Sequence, residues 1–383
     1  MRILLSGVET SNKGAELMFY AILQELEKSH PDAEVYIRRD MAKQGLDYIH
    51  TSIRLHYIPK PKLSTLCSKL KITSILNKLG LRSAYLNNYC PIKNLDYYID
   101  GSGLLFSDQR IKTIRVATSL HYQLRHLHKK GVRIVFLPQA FGPLEKECTI
   151  KAIKALDDYA DMIFAREQVS YDHLMKVVKN KHKVIMSTDF TSLVEGTAPN
   201  KYSDLAGKVC IIPNIQMISK GILTKERYFS ILHEIIATCE STGYGVYFLN
   251  HEGKKDAALI SEYKSVYGDD IDTVSGLNAL EVKGLISTAY LVISSRFHGV
   301  ASSLNTQVPC LSTSWNHKYA ELYKDYGLVS GVLPLDDIEK MKEIIVAAIG
   351  KDNHDAVKEQ LTKAKGGIRQ QAKEMWHKIW EHA

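Results

Sequence analysis

Short apolar runs alternate with longer stretches of helical periodicity in the first half of the chain. The apolar run RILLSG is followed by LMFYAILQELEK, which has helical periodicity and Pro31 beyond its end. Further strand-like runs in this half are EVYIRR, YYIDGSG, RIVFLPQ, DMIFAR and KVIMS. Because helical stretches separate most of them, the pattern predicts a parallel sheet with helices on both faces.

The alternation is interrupted at EGTAPNKYSDLAGK, residues 195–208, and then begins again. The strand-like runs of the second half are KVCIIPN, YGVYFLNH, YLVISS and VPCLSTSW, and its helical stretches include KERYFSILHEIIATCESTG and LNALEVKGLISTA. From about residue 336 the chain is charged, helical and without strands. We therefore predict an α/β fold with two Rossmann-like domains, residues 1–200 and 201–335, a cleft between them, and a helical tail, residues 336–383.

Length and composition agree with two globular domains. A chain of 383 residues is too long for one compact core, and an apolar content of 45% with 24% charged residues is ordinary for a globular protein. The sequence has no signal-peptide pattern and no apolar run near twenty residues. Its six cysteines are scattered, so we expect buried thiols and a cytoplasmic location rather than a disulfide framework or a zinc site.

The net charge of +8 is concentrated in one segment. Residues 48–95 contain eight Lys and Arg and no Asp or Glu, and their stretch KLSTLCSKLKITSILNKLGL has apolar residues at helical spacing. Such a basic amphipathic segment either forms surface helices or contacts an anionic membrane surface or polyphosphate. No nucleic acid partner is expected, because the segment lacks a recognition motif and interleaved aromatic residues for base stacking.

Ligands of open parallel sheets bind beyond the carboxyl ends of the strands, so the polar residues at those ends are the candidates. In the first domain they are Glu9, Asn12, Lys13, Gly14 and Glu16 after the first strand, Asp100, Gly101, Ser102 and Gly103 after YYI, and Arg166 after DMIFA. In the second domain they are His251, Ser295, Arg296, His298, Gly299 and Lys318. Cations, imidazoles and glycines predominate at these positions, and carboxylates are few.

Several of these residues have an equally simple structural interpretation. Asn12 could cap the helix that follows it, and Gly14 could pack close to the sheet. The segment DGSG could be only a tight turn, and Arg166 could form an ion pair with Glu167. The sequence leaves both interpretations open.

The segment ISSRFHGVASSL, residues 293–304, has the most informative pattern. An arginine matches a carboxylate or phosphate with two parallel donors, and the start of a helix also favours an anion. A histidine two residues further can exchange a proton near neutral pH. The structural alternative is an arginine paired with a carboxylate beside a core histidine. We interpret Arg296 and His298 as an anion clamp with a proton donor or acceptor beside it.

The sequence lacks the catalytic motifs of several common enzyme classes. It contains no G-x-S-x-G elbow with a Ser-His-Asp grouping, no H-E-x-x-H, no metal-type cysteine–histidine cluster and no dinucleotide fingerprint. We therefore expect acid–base chemistry on an anionic small molecule, without a metal or a bound cofactor.

Pieces along nearly the whole chain resemble the polysaccharide pyruvyl transferase family. In order they are SNKGAELM, YYIDGSGLL, VFLPQAFGPL, ADMIFAREQVSYDHL, GYGVYFLNH, LVISSRFHGVASSLNTQVPCLS and NHKYAELYKDYGL. The resemblance implies a GT-B-like fold and transfer of the enolpyruvyl group of phosphoenolpyruvate onto a sugar. The product would be a cyclic pyruvate ketal, formed with release of phosphate, during synthesis of a capsule or exopolysaccharide.

The resemblance also implies roles for the candidate residues. Donor binding would fall to Arg166, His251, Ser295, Arg296, Gly299 and Lys318, and His298 would protonate the donor carbon. The acceptor, a saccharide on a lipid carrier, would contact Glu9, Asn12, Lys13, Gly14, Glu16, Asp100, Gly101, Ser102 and Gly103. The basic segment 48–95 would then hold the enzyme at the inner face of the cell membrane.

Two other functions agree with the same architecture. One is a GT-B glycosyltransferase or nucleotide-sugar epimerase, and the other is a saccharide-binding subunit without catalytic activity.

Overall fold

The computed structural model describes residues 1–42, 45–58, 92–313, 317–329 and 331–381. The chain divides into two compact units. Unit 1 comprises Met1–Thr10, Met18–Phe190 and Glu374–Ala383, and unit 2 comprises Ser11–Leu17 and Thr191–Lys373. Residues 11–17, which precede most of unit 1 in the sequence, thus belong to the unit formed by the second half of the chain.

Unit 1 is built on a parallel sheet. Its described strands are β1 (Arg2–Ser6), β2 (Glu34–Ile37), β3 (Arg54–Tyr57), β4 (Tyr97–Asp100), β5 (Arg133–Gln139), β6 (Met162–Ala165) and β7 (Val184–Met186). Helices α1 (Lys13–Ser29), α2 (Ile114–Lys129), α3 (Glu147–Tyr159) and α4 (Gln168–Val177) connect them. The strand order is β3-β2-β1-β4-β5-β6-β7, and every pairing is parallel, as the alternating pattern predicts.

Unit 2 contains a second parallel sheet. Its described strands are β8 (Val209–Ile212), β9 (Val246–Leu249), β10 (Asp272–Val274), β11 (Leu291–Ser294) and β12 (Cys310–Ser312), in the order β10-β9-β8-β11-β12. Its helices are α5 (Gln216–Ser219), α6 (Lys225–Ser241), α7 (Gly253–Tyr267), α8 (Ala279–Ser287), α9 (Phe297–Asn305), α10 (His317–Asp325), α11 (Ile338–Ile349) and α12 (Lys351–Trp380). All residues of β8, β9 and β11 are buried, as expected for a sheet covered on both faces.

The elements begin where their sequences favour them. The predicted helix near Asn278 is confirmed as α8, because the Asn278 side chain accepts from the backbone of Glu281 and the Glu281 carboxylate accepts in return from Asn278. The predicted C-terminal helices are confirmed as α11 and α12. Short 3₁₀ turns at Lys181–Lys183, Phe190–Leu193 and Asn200–Leu205 complete the regular structure of the described chain.

Two further expectations concern cysteines and the basic segment. Cys148, Cys210, Cys239 and Cys310 are buried free thiols, as expected, and Cys67 and Cys90 lie outside the described residues. Most of the basic segment, residues 59–91, also lies outside them, so its predicted helices stay a prediction. Of the helices in the described ranges, none is both long and apolar enough to cross a membrane.

Candidate functional site

The loop after β11 lies where the strand order of unit 2 reverses. β8 pairs with β9 on one side and with β11 on the other, and ligands of such sheets bind at this reversal. The backbone carbonyl of Ser295 accepts from Asn214 Nδ2 and from the Tyr319 hydroxyl, both at 3.0 Å. The Ser295 hydroxyl lies 2.8 Å from the Tyr228 hydroxyl and also contacts Thr313. Ser295 is buried, and these hydrogen bonds fix the loop. Its contact with a donor substrate stays a prediction.

Arg296 is the N-cap residue of α9, and its guanidinium is paired with two carboxylates. Nε and Nη2 lie 3.0 and 2.5 Å from Oδ2 of Asp256, and Nη1 contacts Glu252. The other Asp256 oxygen accepts from the backbone of Ile215 at 3.0 Å. The expectation of few carboxylates is thus wrong at this site, because the first turn of α7 supplies one and its N-cap residue the other.

Burial changes the protonation behaviour of this ion pair. Asp256 is inaccessible to solvent, and its burial raises the pKa of the carboxyl to about 7. Burial also lowers the pKa of Arg296 to about 10, so the guanidinium stays positively charged at neutral pH. The predicted clamp is therefore a cation already neutralised by the protein, and an anionic ligand must compete with a carboxylate to reach it.

His298 lies in the first turn of α9, against the start of α1. A Cβ atom on Gly14 would lie 2.2 Å from Nδ1 of His298, so only a glycine allows the backbone to approach the imidazole this closely. The ring of Phe297 meets the His298 ring edge-on, with centroids 5.4 Å apart. Gly14, predicted to contact the acceptor, thus lies beside the proposed proton donor.

We expect Gly14→Ala to destabilise the protein, although alanine is normally the better helix former by about 1 kcal/mol. The added methyl group must displace His298 or the backbone, and such overpacking costs about 1–3 kcal/mol. Gly367→Ala in α12 is the matched control, because a Cβ there meets no atom within 4 Å and should stabilise. Urea unfolding of both variants tests the contrast, and stabilisation by Gly14→Ala would contradict the packing described.

The residues around Gly14 link the start of α1 to the same site. Asn12 caps α1 by accepting from Ala15 at 3.1 Å, and its Nδ2 donates to Glu252 at 2.5 Å. Nζ of Lys13 lies 2.6 Å from the buried Glu16. The structure thus brings Asn12, Gly14 and Glu252 together with Arg296 in unit 2, although the sequence interpretation assigned the first two to the other domain.

His251 follows β9 and is buried beside these groups. Burial and the positive charges of Arg296, His298 and Lys13 hold the pKa of His251 well below its ordinary value, so its imidazole is neutral near pH 7. A neutral ring can donate a hydrogen bond to an anion but cannot neutralise its charge. Gly299 lies in the first turn of α9 and packs closely against Ser294, because a Cβ at this position would lie 2.5 Å from the Ser294 hydroxyl. Lys318 belongs to the first turn of α10.

The candidates after β4 form a compact turn in unit 1. Asp100 is buried and accepts from the backbone of Ser102 at 3.0 Å, and its burial raises the pKa of the carboxyl. Gly101 is also buried, and Gly103 packs near Met18. The turn interpretation of DGSG thus agrees with the structure, and acceptor contact by these residues stays a prediction. Glu9 follows β1 and is half-buried.

Arg166 lies at the end of β6 in unit 1 and is buried between two carboxylates. Its Nη1 is 3.5 Å from Asp189, and its Nε is 3.7 Å from Glu167. The ion-pair interpretation therefore describes the geometry, while anion binding by Arg166 stays a prediction. Both candidate arginines are paired with carboxylates within their own unit.

The sequence interpretation missed Glu252 and Asp256. A signal was present, because Glu252 directly follows His251 beyond a strand, and Asp256 is four residues further, one helical turn away. A carboxylate in the first turn of the helix after a strand is a candidate partner for an arginine at a neighbouring strand end.

Solved structures resemble the whole chain at low sequence identity. The UDP-GlcNAc 2-epimerase from Methanocaldococcus jannaschii has a TM-score of 0.60 at 12% identity, over 92% of this chain and 94% of its own. The Neisseria meningitidis enzyme bound to UDP-GlcNAc has 0.62 at 12%, over 100% of both chains. Anabaena HepE in complex with UDP and glucose has 0.58 at 11%, over 100% and 98%. These similarities concern the fold and confirm the predicted GT-B-like architecture of two Rossmann-like domains.

Sequence comparison gives one result. The family model described as polysaccharide pyruvyl transferase matches residues 12–317, which is most of the chain. The matched range includes Asn12, Arg166, Arg296 and His298 and ends one residue before Lys318. No curated protein matches the chain.

Proposed function

The chain belongs to the polysaccharide pyruvyl transferase family, and from this we propose that it transfers the enolpyruvyl group of phosphoenolpyruvate onto a sugar. The product is a cyclic pyruvate ketal that bridges two sugar hydroxyls, and phosphate is released. The observation that carries the proposal is the placement of a half-buried cation, Arg296, two residues before an imidazole at the strand-order reversal of unit 2. This combination suits a donor that is anionic and must be protonated on carbon.

The proposed chemistry begins with proton transfer from His298 to the methylene carbon of phosphoenolpyruvate. This leaves an oxocarbenium-like centre at the carbon that carries the phosphate, and a sugar hydroxyl attacks it and loses its proton to a base. Phosphate then leaves with the electrons of its carbon–oxygen bond, which regenerates the oxocarbenium-like centre. A second hydroxyl attacks this centre, gives its proton to a base and closes the ketal. A positioned general acid contributes roughly 10²–10⁴-fold to such a rate.

The remaining candidates have supporting roles in the proposal. Arg296 binds the carboxylate or phosphate of the donor, because a guanidinium keeps its charge and presents parallel donors. Arg166 and Lys318 supply further positive charge, and neutral His251 donates a hydrogen bond. No metal or bound cofactor has a step in this scheme. The acceptor is a saccharide, which we propose to be linked to a lipid carrier in the synthesis of a capsule or exopolysaccharide.

Ligand binding separates this function from its nearest rival. Phosphoenolpyruvate is expected to raise the melting temperature of the protein, and UDP-GlcNAc and UDP are expected to leave it unchanged. The opposite result would favour an enzyme that acts on a nucleotide sugar, and the diphosphate of that substrate would then contact the guanidinium of Arg296. Binding of saccharide alone would favour a non-catalytic subunit.

We also propose that residues 48–95 contact the anionic inner surface of the cell membrane. Replacing the lysines of this segment by glutamine should weaken sedimentation with anionic vesicles at least about a hundredfold, because each lysine near the surface contributes about 1 kcal/mol. The six lysines are Lys60, Lys62, Lys69, Lys71, Lys78 and Lys93.

The α12 helix offers a control with the same change of charge. Its six lysines are Lys351, Lys358, Lys363, Lys365, Lys373 and Lys378, and replacing them by glutamine should leave vesicle binding unchanged. An equal loss in the two variants would mean that net charge alone determines binding. No loss in the first variant would rule out the proposed contact.

A further inference from the structure

The two carboxylates that contact Arg296 have very different surroundings. Asp256 is inaccessible to solvent, and a backbone amide holds its second oxygen, so it cannot move without opening the start of α7. The Glu252 side chain keeps 24% of its surface exposed, and its described polar contacts are the side chains of Arg296 and Asn12. The inner carboxylate is therefore fixed, and the outer one can be displaced.

Glu252 also lies at the start of a helix without capping it through its side chain. It is the N-cap residue of α7, yet its carboxylate makes no bond to the amides of the first turn. Short side chains such as Asp, Asn, Ser and Thr are favoured at N-caps because they reach those amides. The longer Glu252 instead extends to Nη1 of Arg296. The residue at this position is thus suited to the arginine and not to the helix.

We propose that Glu252 is a displaceable internal ligand of Arg296 that sets the affinity and selectivity for the donor. Its carboxylate occupies the outer edge of the guanidinium until a carboxylate or phosphate of the donor replaces it. Asp256 stays in place and keeps the guanidinium oriented. The identity of the donor rests on the proposed function, but the exchange of one anion for another does not.

The exchange explains how the half-buried guanidinium of Arg296 keeps a negatively charged partner both with and without a substrate. An arginine without a partner in such a place would be costly, and an internal carboxylate removes that cost while the site is empty. An incoming ligand must then outcompete a carboxylate held close by, so neutral sugars and weakly held monoanions are excluded. Displacement also releases Glu252 from Asn12, so donor binding changes the contacts of the residue that caps α1.

Two substitutions that each remove one negative charge next to Arg296 test the proposal. Glu252→Gln should tighten phosphoenolpyruvate binding about tenfold, because the donor no longer competes with a carboxylate. Asp256→Asn should weaken it about tenfold, because the guanidinium loses its fixed partner. Isothermal titration at one ionic strength, above the pH of about 7 at which Asp256 titrates, measures both. A purely electrostatic effect would tighten binding in both variants and would overturn the proposal.

Glu252→Asp provides a test that does not depend on the folding of Asp256→Asn. An aspartate keeps the charge and can cap α7, but it is too short to reach Nη1 of Arg296. Its affinity should therefore resemble that of Glu252→Gln. An affinity equal to that of the wild type would show that the contact with Arg296 does not matter.

The same titrations with inorganic phosphate and pyrophosphate separate this proposal from the proposed function. Glu252→Gln and Asp256→Asn could change the affinity for pyrophosphate in opposite directions while phosphoenolpyruvate does not bind at all. That result would support the exchange of anions at Arg296 and contradict the proposal that phosphoenolpyruvate is the donor. Phosphoenolpyruvate binding that neither variant changes would contradict the exchange alone. No binding of any of these anions by the wild type or by Glu252→Gln would overturn both.

Discussion

Replacing His298 by alanine is expected to lower the rate of acceptor-dependent phosphate release by roughly 10²–10⁴-fold, the usual contribution of a positioned general acid. The imidazole lies in the first turn of α9, where backbone contacts of Ser295 and the close approach of Gly14 fix its position. Its loss should lower kcat and leave the dissociation constant of phosphoenolpyruvate nearly unchanged, because Arg296 and its partners remain.

His298→Gln and His354→Ala are useful companions for this variant. His298→Gln keeps most of the side-chain volume but has no titratable proton, so it should be as slow as His298→Ala. His354 stacks on Tyr290 at a centroid distance of 3.9 Å in another part of unit 2, and its replacement should leave kcat unchanged in protein that remains folded. A His298 variant with wild-type kcat would exclude it as the proton donor.

Replacing Arg296 by glutamine is expected to weaken the binding of the donor and to lower the stability of the folded protein. Phosphoenolpyruvate binding should weaken at least about a hundredfold, since a charge-assisted bidentate contact is lost. The free energy of unfolding should fall by about 3 kcal/mol, because the buried carboxylate of Asp256 loses its cation. Titration calorimetry and urea unfolding measure the two effects separately.

The loss of stability in Arg296→Gln should depend on pH in a defined direction. Burial raises the pKa of Asp256 to about 7, above its unfolded value, so the folded protein takes up a proton more readily than the unfolded chain. Below that pH the carboxyl is neutral and needs no cation, and above it the uncompensated charge is fully present. The variant should therefore be less destabilised at acidic pH than at alkaline pH. A destabilisation that does not vary with pH would mean that the stability of the protein does not depend on compensation of the Asp256 charge by Arg296.

The sequence predicted most strands because their faces are buried. β8, β9 and β11 are apolar at nearly every position, and this pattern is visible without a structure. The prediction did not include β3 and β10, which lie at the edges of the two sheets. Asp272 and Thr273 of β10 are exposed, and Arg54 and His56 interrupt the apolar pattern of β3. The other two edge strands, β7 and β12, were predicted because their residues are mostly apolar, so the polar residues of β3 and β10 explain why these two were missed.

The candidate site was predicted less completely than the fold. Arg296 and His298 were found because a cation and an imidazole stood together at a strand end. Their partners were not found, since Glu252 and residues 11–17 are distant in the sequence and reach the site only through the folding of unit 2. Local patterns give the identity of a side chain at a strand end, whereas its partners depend on which segments the tertiary fold brings there.

The most direct test of the proposed function is phosphate release from phosphoenolpyruvate by the purified protein, with and without lipid-linked or synthetic oligosaccharides. Wild type would be compared with His298→Ala and Arg296→Gln, and the saccharide product would be weighed by mass spectrometry. We predict release that requires an acceptor, a product heavier by one pyruvate ketal, and loss of both in the two variants. Release without any change in the mass of the acceptor, or full activity in the two variants, would contradict the proposed function.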